Sequence, residues 1–165
     1  MKITASIQKG KTRDLDKLAK KFKELHNQYV EVGYFDNEMH SEAEMSYASL
    51  MTILEFGSPE NNIPARYPFH QVAHSKLPSD SAGIRKAIKD HLKNIMGKSD
   101  SSDLLAYIGK YYQKELKAIF GDTSRLEPNA PATVAIKGRN EPLVDTQELR
   151  DNLGYRTSKE KDIKK

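Results

Sequence analysis

"HQVAH", residues 70 to 74, is where residue type and spacing in this 165-residue chain come nearest to chemistry. His70 and His74 stand four apart, so on a helix both rings share one face and can reach one divalent metal. The pattern superficially resembles the H-E-x-x-H of zinc hydrolases. That motif needs its glutamate as a general base, and the position here holds Gln71, whose amide cannot take a proton. His40, Glu42 and Glu44 are the candidates for a third ligand. The pair reads more simply as solvated or interface histidines, and no metal is expected. A hydrolase built on His70 and His74 remains the enzymatic alternative, and metal analysis of the protein tests it.

Other chemistry is sparse. No G-x-S-x-G, Walker or G-x-G-x-x-G pattern occurs. The carboxylates are scattered, with no pair marked out for acid–base work. There is no cysteine, which excludes disulfides, thiolate metal sites and cysteine nucleophiles and fits a reducing compartment. "IKGRN" sets Lys137 and Arg139 around Gly138. The two cations can touch phosphate and are the candidate DNA-facing residues, although a basic turn between strands is the simpler reading. Net charge is +4 and pI about 9.1, which serves solubility first and DNA contact second. The expectation is a non-enzyme without cofactor, with sequence-nonspecific DNA binding as the alternative function.

A second kind of signal lies in "EFGSPENNIPARYPF", Glu55 to Phe69. Pro59, Pro64 and Pro68 fix φ and remove donors, and Ser58, Ile63 and Tyr67 before them are pushed extended. A stiff loop loses little entropy when it docks. Arg66 with Tyr67 and Phe69 is the composition enriched at interface cores. The competing reading folds Ile63, Tyr67 and Phe69 back onto the chain's own core.

The elements that must position these residues follow from periodicity. Hydrophobic residues make up 37% of the chain and charged residues 30%, polar for a globular protein but not the composition of a disordered one. Ile3, Ala5 and Ile7 alternate as in a strand. Leu15, Leu18, Phe22 and Leu25 fall at helical spacing in a lysine-rich helix from Asp14 to Asn27, whose other face is solvated. "QYVEVGYF" is a strand with Val30, Val32 and Tyr34 on one face. Ser41 and Glu44 have capping-box spacing and open a helix with the stripe Tyr47, Leu50, Met51, Leu54, stopped by Gly57. "HQVAHSKL" is a short helix and Pro78 to Gly83 a turn. Ile84, Ile88, Leu92 and Ile95 continue a helix to Gly97, and "GKSDSSD" is a flexible break. Leu105, Ile108, Tyr112, Leu116 and Ile119 form the clearest helix, stopped by Gly121. The last third reads as extended, with Val134 and Ile136 as a strand face. Asp145 and Glu148 then cap a short helix through Leu153, and "GYRTS" is a closing strand. The result is one α+β domain, residues 1–158, in which a small antiparallel sheet packs against two or more helices. A charged tail, 159–165, reads as disordered. "MKITASIQKGK" lacks an apolar core and does not read as a signal peptide. No stretch approaches a membrane span.

"YVEVGYF", "YASLMTILEFGS", "IPARYPF", "PNAPATVAIKG" and "PLVDTQELRDNLGY" occur in this order between residues 29 and 156. Together they resemble the tail-completion, or neck, proteins of long-tailed bacteriophages, the virion-morphogenesis family. Members show a V-x-V-G strand, a Y-A-x-x-x-E-F-G helix end, an I-P-A-R-P-F loop and a late P-L-x-D-T-G-x-L segment. The resemblance implies a tail-terminator-like fold and a structural protein that forms a ring, commonly of six, at the head–tail junction. It implies a tail-tube protein and a head-completion or connector protein as partners, and a lumen that passes DNA without sequence readout. The place implied is the virion, with assembly in the host cytoplasm and no membrane involved. With the loop's composition it marks Glu55, Phe56, Gly57, Ile63, Pro64, Ala65, Arg66, Tyr67 and Phe69 as interface residues. Leu143, Asp145 and Thr146 are marked as a structural turn. Two positions depart from the pattern. Tyr67 stands between Arg66 and Pro68, so the loop's fine geometry is expected to differ. Gln147 replaces the family's glycine, so the Asp145 turn is expected not to need positive φ. The polar composition implies a monomer or weak oligomer in isolation and a closed ring in the particle.

Overall fold

A computed structural model describes residues 10–35, 39–41, 44–74, 81–94 and 101–159. The strand expected at Ile3–Ile7, the helix end at Ile95–Gly97 and the tail beyond Lys159 lie outside the described residues. The elements run α1 (Gly10–His26), β1 (Gln28–Gly33), α2 (Tyr47–Phe56), a 3-10 turn (Pro59–Asn61), α3 (Pro68–His74), α4 (Ser81–Asn94), α5 (Ser101–Ile119), α6 (Pro131–Lys137), α7 (Glu148–Asp151) and β2 (Gly154–Lys159). The fold class is α+β, as read from periodicity. Among the described residues the sheet has two strands, with β1 antiparallel to β2 in the register Gln28↔Lys159 through Gly33↔Gly154. Lys159, assigned to the tail, is the last residue of that strand.

Two strands alone are marginal in water, so this sheet needs a cover. α5 supplies it, packing on both strands. Gly109 sets how close it comes: a Cβ there would run into the Tyr155 ring and stand 2.8 Å from Val30. A bare Cα at the crossing lets the helix backbone settle onto the strand side chains. Further along α5, Leu116 and Ile119 are buried with Val72, Leu126 and Leu153. A second cluster joins Tyr47 and Met51 of α2 to Phe120, Val144 and Leu149. Tyr34, Phe69 and Leu143 pack against both clusters and make them one core. Each fully buried aliphatic side chain contributes about 1.5–3 kcal/mol relative to exposure. The Tyr34 hydroxyl donates to the Leu149 carbonyl, and burial, aided by Tyr47, pushes its pKa well up, so it stays a neutral donor.

The structure corrects several local expectations. α2 starts at Tyr47, not at a Ser41–Glu44 box: Ser46 is its N-cap and accepts from the Ser49 N–H at 3.2 Å. Ser41 donates its hydroxyl to Glu148 instead, at 2.6 Å, and Glu44 sits in a turn at φ 51°. Ser81–Gly83 belong to α4 rather than a turn, and Ser101–Asp103 to α5 rather than a break. The segment read as a Val134–Ile136 strand is α6. Pro131 occupies its first turn, where the missing N–H costs nothing, and Gly138 ends it in the left-handed region at φ 68°. Two apolar residues at i, i+2 are too few to set a period against those punctuators. Ile136 is 87% exposed and forms no strand face.

Candidate functional site

The proline-rich loop is built into the fold by its polar groups. Glu55, at the end of α2, is buried, and its carboxylate accepts the Phe69 and His70 backbone N–H groups at 2.9 and 3.0 Å. Those are orphan donors at the start of α3, so one acid both satisfies them and meets the helix's positive end. The backbone of the loop also runs back along α2: Arg66 N–H donates to the Leu54 carbonyl and Tyr67 N–H to that of Glu55. Gln71, at the position of the missing catalytic glutamate, uses its amide to hold the Arg66 carbonyl at 3.0 Å. Contrary to the expectation from its place before Pro68, the extra residue Tyr67 is not extended: it adopts φ 51°, a left-handed kink held by its N–H bond to the Glu55 carbonyl, and Pro68 begins α3 directly after it.

Arg66 is 9% exposed. Its Nε donates to the Glu127 carbonyl at 3.1 Å and its Nη2 to the Asn129 side-chain oxygen at 3.4 Å. Burial draws its pKa down from the ordinary arginine value, with Glu127 opposing. Arg66 thus braces residues 127–129 against the loop within one chain. Of the other residues marked for an interface, Phe69 packs into the core while Phe56 is 68% and Tyr67 46% exposed. Ile63, Pro64 and Ala65 line an open groove with Gly57 and Phe56.

That groove has a volume of about 970 Å³. It is lined by the apolar Leu50, Leu54, Ile63 and Leu149 and by Pro128–Ala130 with Thr133 of α6. Leu143, Asp145 and Thr146, expected to form a structural turn, line it too. Leu143 and Gln147 take φ of 62° and 70°. The expectation that Gln147 frees this turn from positive φ is therefore wrong: a glutamine bears the left-handed conformation that the resembling pattern gives to glycine. Gln147 also stands at the N-cap of α7 without a side-chain bond, so no Asp145–Glu148 capping box forms. Asp145 pairs with Lys137 at 3.5 Å instead.

Glu148 ties the early segment to the late one. Its carboxylate accepts from the Ser41 hydroxyl at 2.6 Å, the Ser41 N–H at 3.3 Å and the Tyr47 hydroxyl at 3.1 Å, with His40 4.0 Å away. The Ser41 hydrogen bonds lead in holding its pKa below the usual glutamate range, with Tyr47 and His40 adding to them. A carboxylate with a depressed folded-state pKa contributes stability that is present above its unfolded pKa and lost as pH falls through the folded value. The loss should therefore begin near the ordinary glutamate value of about 4.3 and grow below it. Urea midpoints measured from pH 7 to pH 3 should fall more steeply for the parent chain than for Glu148→Gln. Parallel curves would remove Glu148 from this role.

The residues singled out for chemistry are placed differently. His70 and His74 do share a face of α3, with ring centroids 4.2 Å apart. Of the suggested third ligands, His40 packs edge-on against Tyr47, Glu44 lies in the turn before α2, and Glu42 is outside the described residues. Among the described residues no group of three or more His, Asp or Glu could hold a metal ion. Lys137 and Arg139 are bound to their own chain. Lys137 reaches the Val144 carbonyl at 3.1 Å as well as Asp145, and Arg139 reaches the Asp145 carbonyl at 2.6 Å and Glu141 at 3.0 Å. They clamp the Leu143–Thr146 turn. Sequence reasoning missed Gly109 and Asn129, neither of which carries a local pattern, and read Glu148 only as a capping partner of Asp145 rather than as the acceptor of Ser41. No helix among the described residues is long and apolar enough to cross a membrane. Comparison of the chain with protein-family models, curated proteins and solved structures returns no match.

Proposed function

We propose that this chain is a structural virion protein that completes a phage tail or joins head to tail, as a ring, commonly of six, around a DNA-passing lumen. One observation carries the reading. Four of the five segments that resemble the neck-protein family contribute to the lining of a single groove, although they are spread between residues 47 and 155. The fifth, "YVEVGYF", is the strand that closes on β2. Motif residues gathered around a concave surface, tied together by buried polar groups, are what a docking surface requires. The stiff loop contributes exposed Phe56 and Tyr67 beside it, side chains suited to an interface core. The tail-terminator-like fold, the tail-tube and connector partners and a place at the neck belong to this same proposal. The DNA-binding alternative gains no support from Lys137 and Arg139, whose charges are engaged within the chain.

Particles lacking this protein should accumulate as separate filled heads and tails, and adding the purified chain should restore joined particles. The joined particles should contain it in a fixed ratio to the tail-tube ring. Its absence from joined particles, or its presence there only as a monomer, would overturn the proposal.

A further inference from the structure

Among the described residues, α1 keeps part of its apolar face exposed. It rests on β1, yet Leu15 is 63% and Phe22 44% exposed, and Ala19 between them is exposed too. Leu15, Leu18, Phe22 and Leu25 stand at i, i+3, i+7 and i+10, the anchor spacing of a helix that lies in a groove. On its other positions α1 carries Lys17, Lys20 and Lys23 against Asp16 and Glu24. The groove described above has the opposite character. Its lining is largely apolar, and its cations are held by their own chain: Arg66 is buried on the Glu127 carbonyl and Asn129, and Lys137 bonds the Val144 carbonyl and pairs with Asp145. Asp145 is offset by its pair with Lys137, so the carboxylates left to face a partner are Glu127 in the lining and Glu60, exposed next to the lining residue Pro59.

We propose that the apolar face of α1 docks in the groove of a second copy of this chain, with its lysines over Glu60 and Glu127. The contact joins two unlike patches, so it is head-to-tail, and copies added in this way close into a ring when the rotation between them allows. A helix of 17 residues spans about 25 Å, and the four anchors from Leu15 to Leu25 take up about 15 Å of it. The inference rests on the ring reading of the function and names the surface through which the ring forms.

The chain has no cysteine, so paired single-cysteine variants report the contact directly. Ala19→Cys sits inside the α1 stripe without removing an anchor. Ala130→Cys sits on the groove wall at the exposed N-cap of α6. Concentrated free protein, mixed and oxidised, should give the disulfide dimer of one Ala19→Cys chain with one Ala130→Cys chain several-fold above either like-with-like dimer. Adding Leu15→Glu and Phe22→Glu to the Ala19→Cys chain should bring the mixed dimer down to random yield. Circular dichroism should show each variant folded. A random mixture of dimers, or preferential pairing of Ala19→Cys chains with one another, would overturn the proposal. The same variants in assembled particles separate the two readings. Mixed cross-links in free protein that never enters particles leave the contact standing and defeat the neck function. Joined particles in which the Ala130→Cys thiol bonds the tail-tube protein, or no neighbouring copy, leave the function standing and defeat the contact.

Discussion

Gly57→Ala should destabilise the fold by about 3 kcal/mol or more, at the upper end of what single substitutions do. Gly57 ends α2 at φ 78° and ψ 173°, a region that is essentially glycine's alone and costs other residues about 1–3 kcal/mol. A Cβ there would also stand 2.7 Å from the Ala65 nitrogen and 2.9 Å from the Ile63 oxygen. Both are backbone atoms, and neither can rotate away. To relieve the clash the 63–65 stretch of the loop must leave α2, which breaks the Arg66 and Tyr67 backbone bonds to Leu54 and Glu55. Two controls isolate the cause. Gly138→Ala meets no atom within 4 Å and bears only a left-handed φ of 68°, a cost of about 1–2 kcal/mol. Gly33→Ala meets nothing within 4 Å in a strand and should be near neutral. Urea midpoints should therefore fall in the order Gly57, Gly138, Gly33, with the largest loss first. Equal losses at Gly57 and Gly138 would mean that the loop does not press on the helix end as described.

Gly57 also marks how far the sequence was legible. A glycine after the stripe Tyr47, Leu50, Met51, Leu54 signals a helix end, and α2 ends there. β1 and α5 were legible because each carries several apolar residues at one period, whereas β2, GYRTSK, was read as a closing strand without such a stripe. Within α5 the most buried residues are Leu104, Tyr111, Leu116 and Ile119, so the expected stripe was right in kind and turned slightly in place. What was not legible is whatever a distant partner decides. Ser41 with Glu44, and Asp145 with Glu148, both have capping-box spacing. Ser41 and Glu148 instead bond each other across 107 residues, and neither box forms. Spacing states which bond is locally available; it does not state that a distant bond is better. Gln147 is the same lesson in the backbone, since the clamp of Lys137 and Arg139 on the turn holds a non-glycine residue at φ 70°. The candidate site divides likewise. That the loop is rigid was written in its prolines. That Arg66 turns inward to Glu127 and Asn129 was not, because nothing local connects residues 61 and 63 positions apart.

That inward turn makes Arg66→Ala the most informative substitution in the groove. The guanidinium satisfies a backbone carbonyl and a side-chain oxygen in a buried place. Asn129 is already strained in this respect, since its Nδ2 is buried without a hydrogen-bond partner among the described residues. Removing Arg66 would orphan the other end of the same amide. Hydrogen bonds to charged groups contribute about 1.5–3 kcal/mol, so a loss of about 2–4 kcal/mol is expected. Arg66→Lys keeps the charge but not the fork and should recover only part of it. The wall at 127–130 would no longer be held against the loop, so the groove should lose its shape even where the chain stays folded. On the proposed neck function, joined particles should therefore be lost at a temperature where circular dichroism shows the variant native. Phe56→Ala separates the two effects. Phe56 is 68% exposed beside the groove, so its removal should leave the melting temperature within about 1 °C of the parent, as for most surface positions. If the Phe56 side chain helps to hold a docked partner, that variant should join fewer particles while remaining as stable as the parent. An unchanged melting temperature for Arg66→Ala would show that the brace contributes nothing to the fold. A destabilised but folded Arg66→Ala that joins heads to tails at the parent's yield would show that the groove it shapes is not where assembly happens.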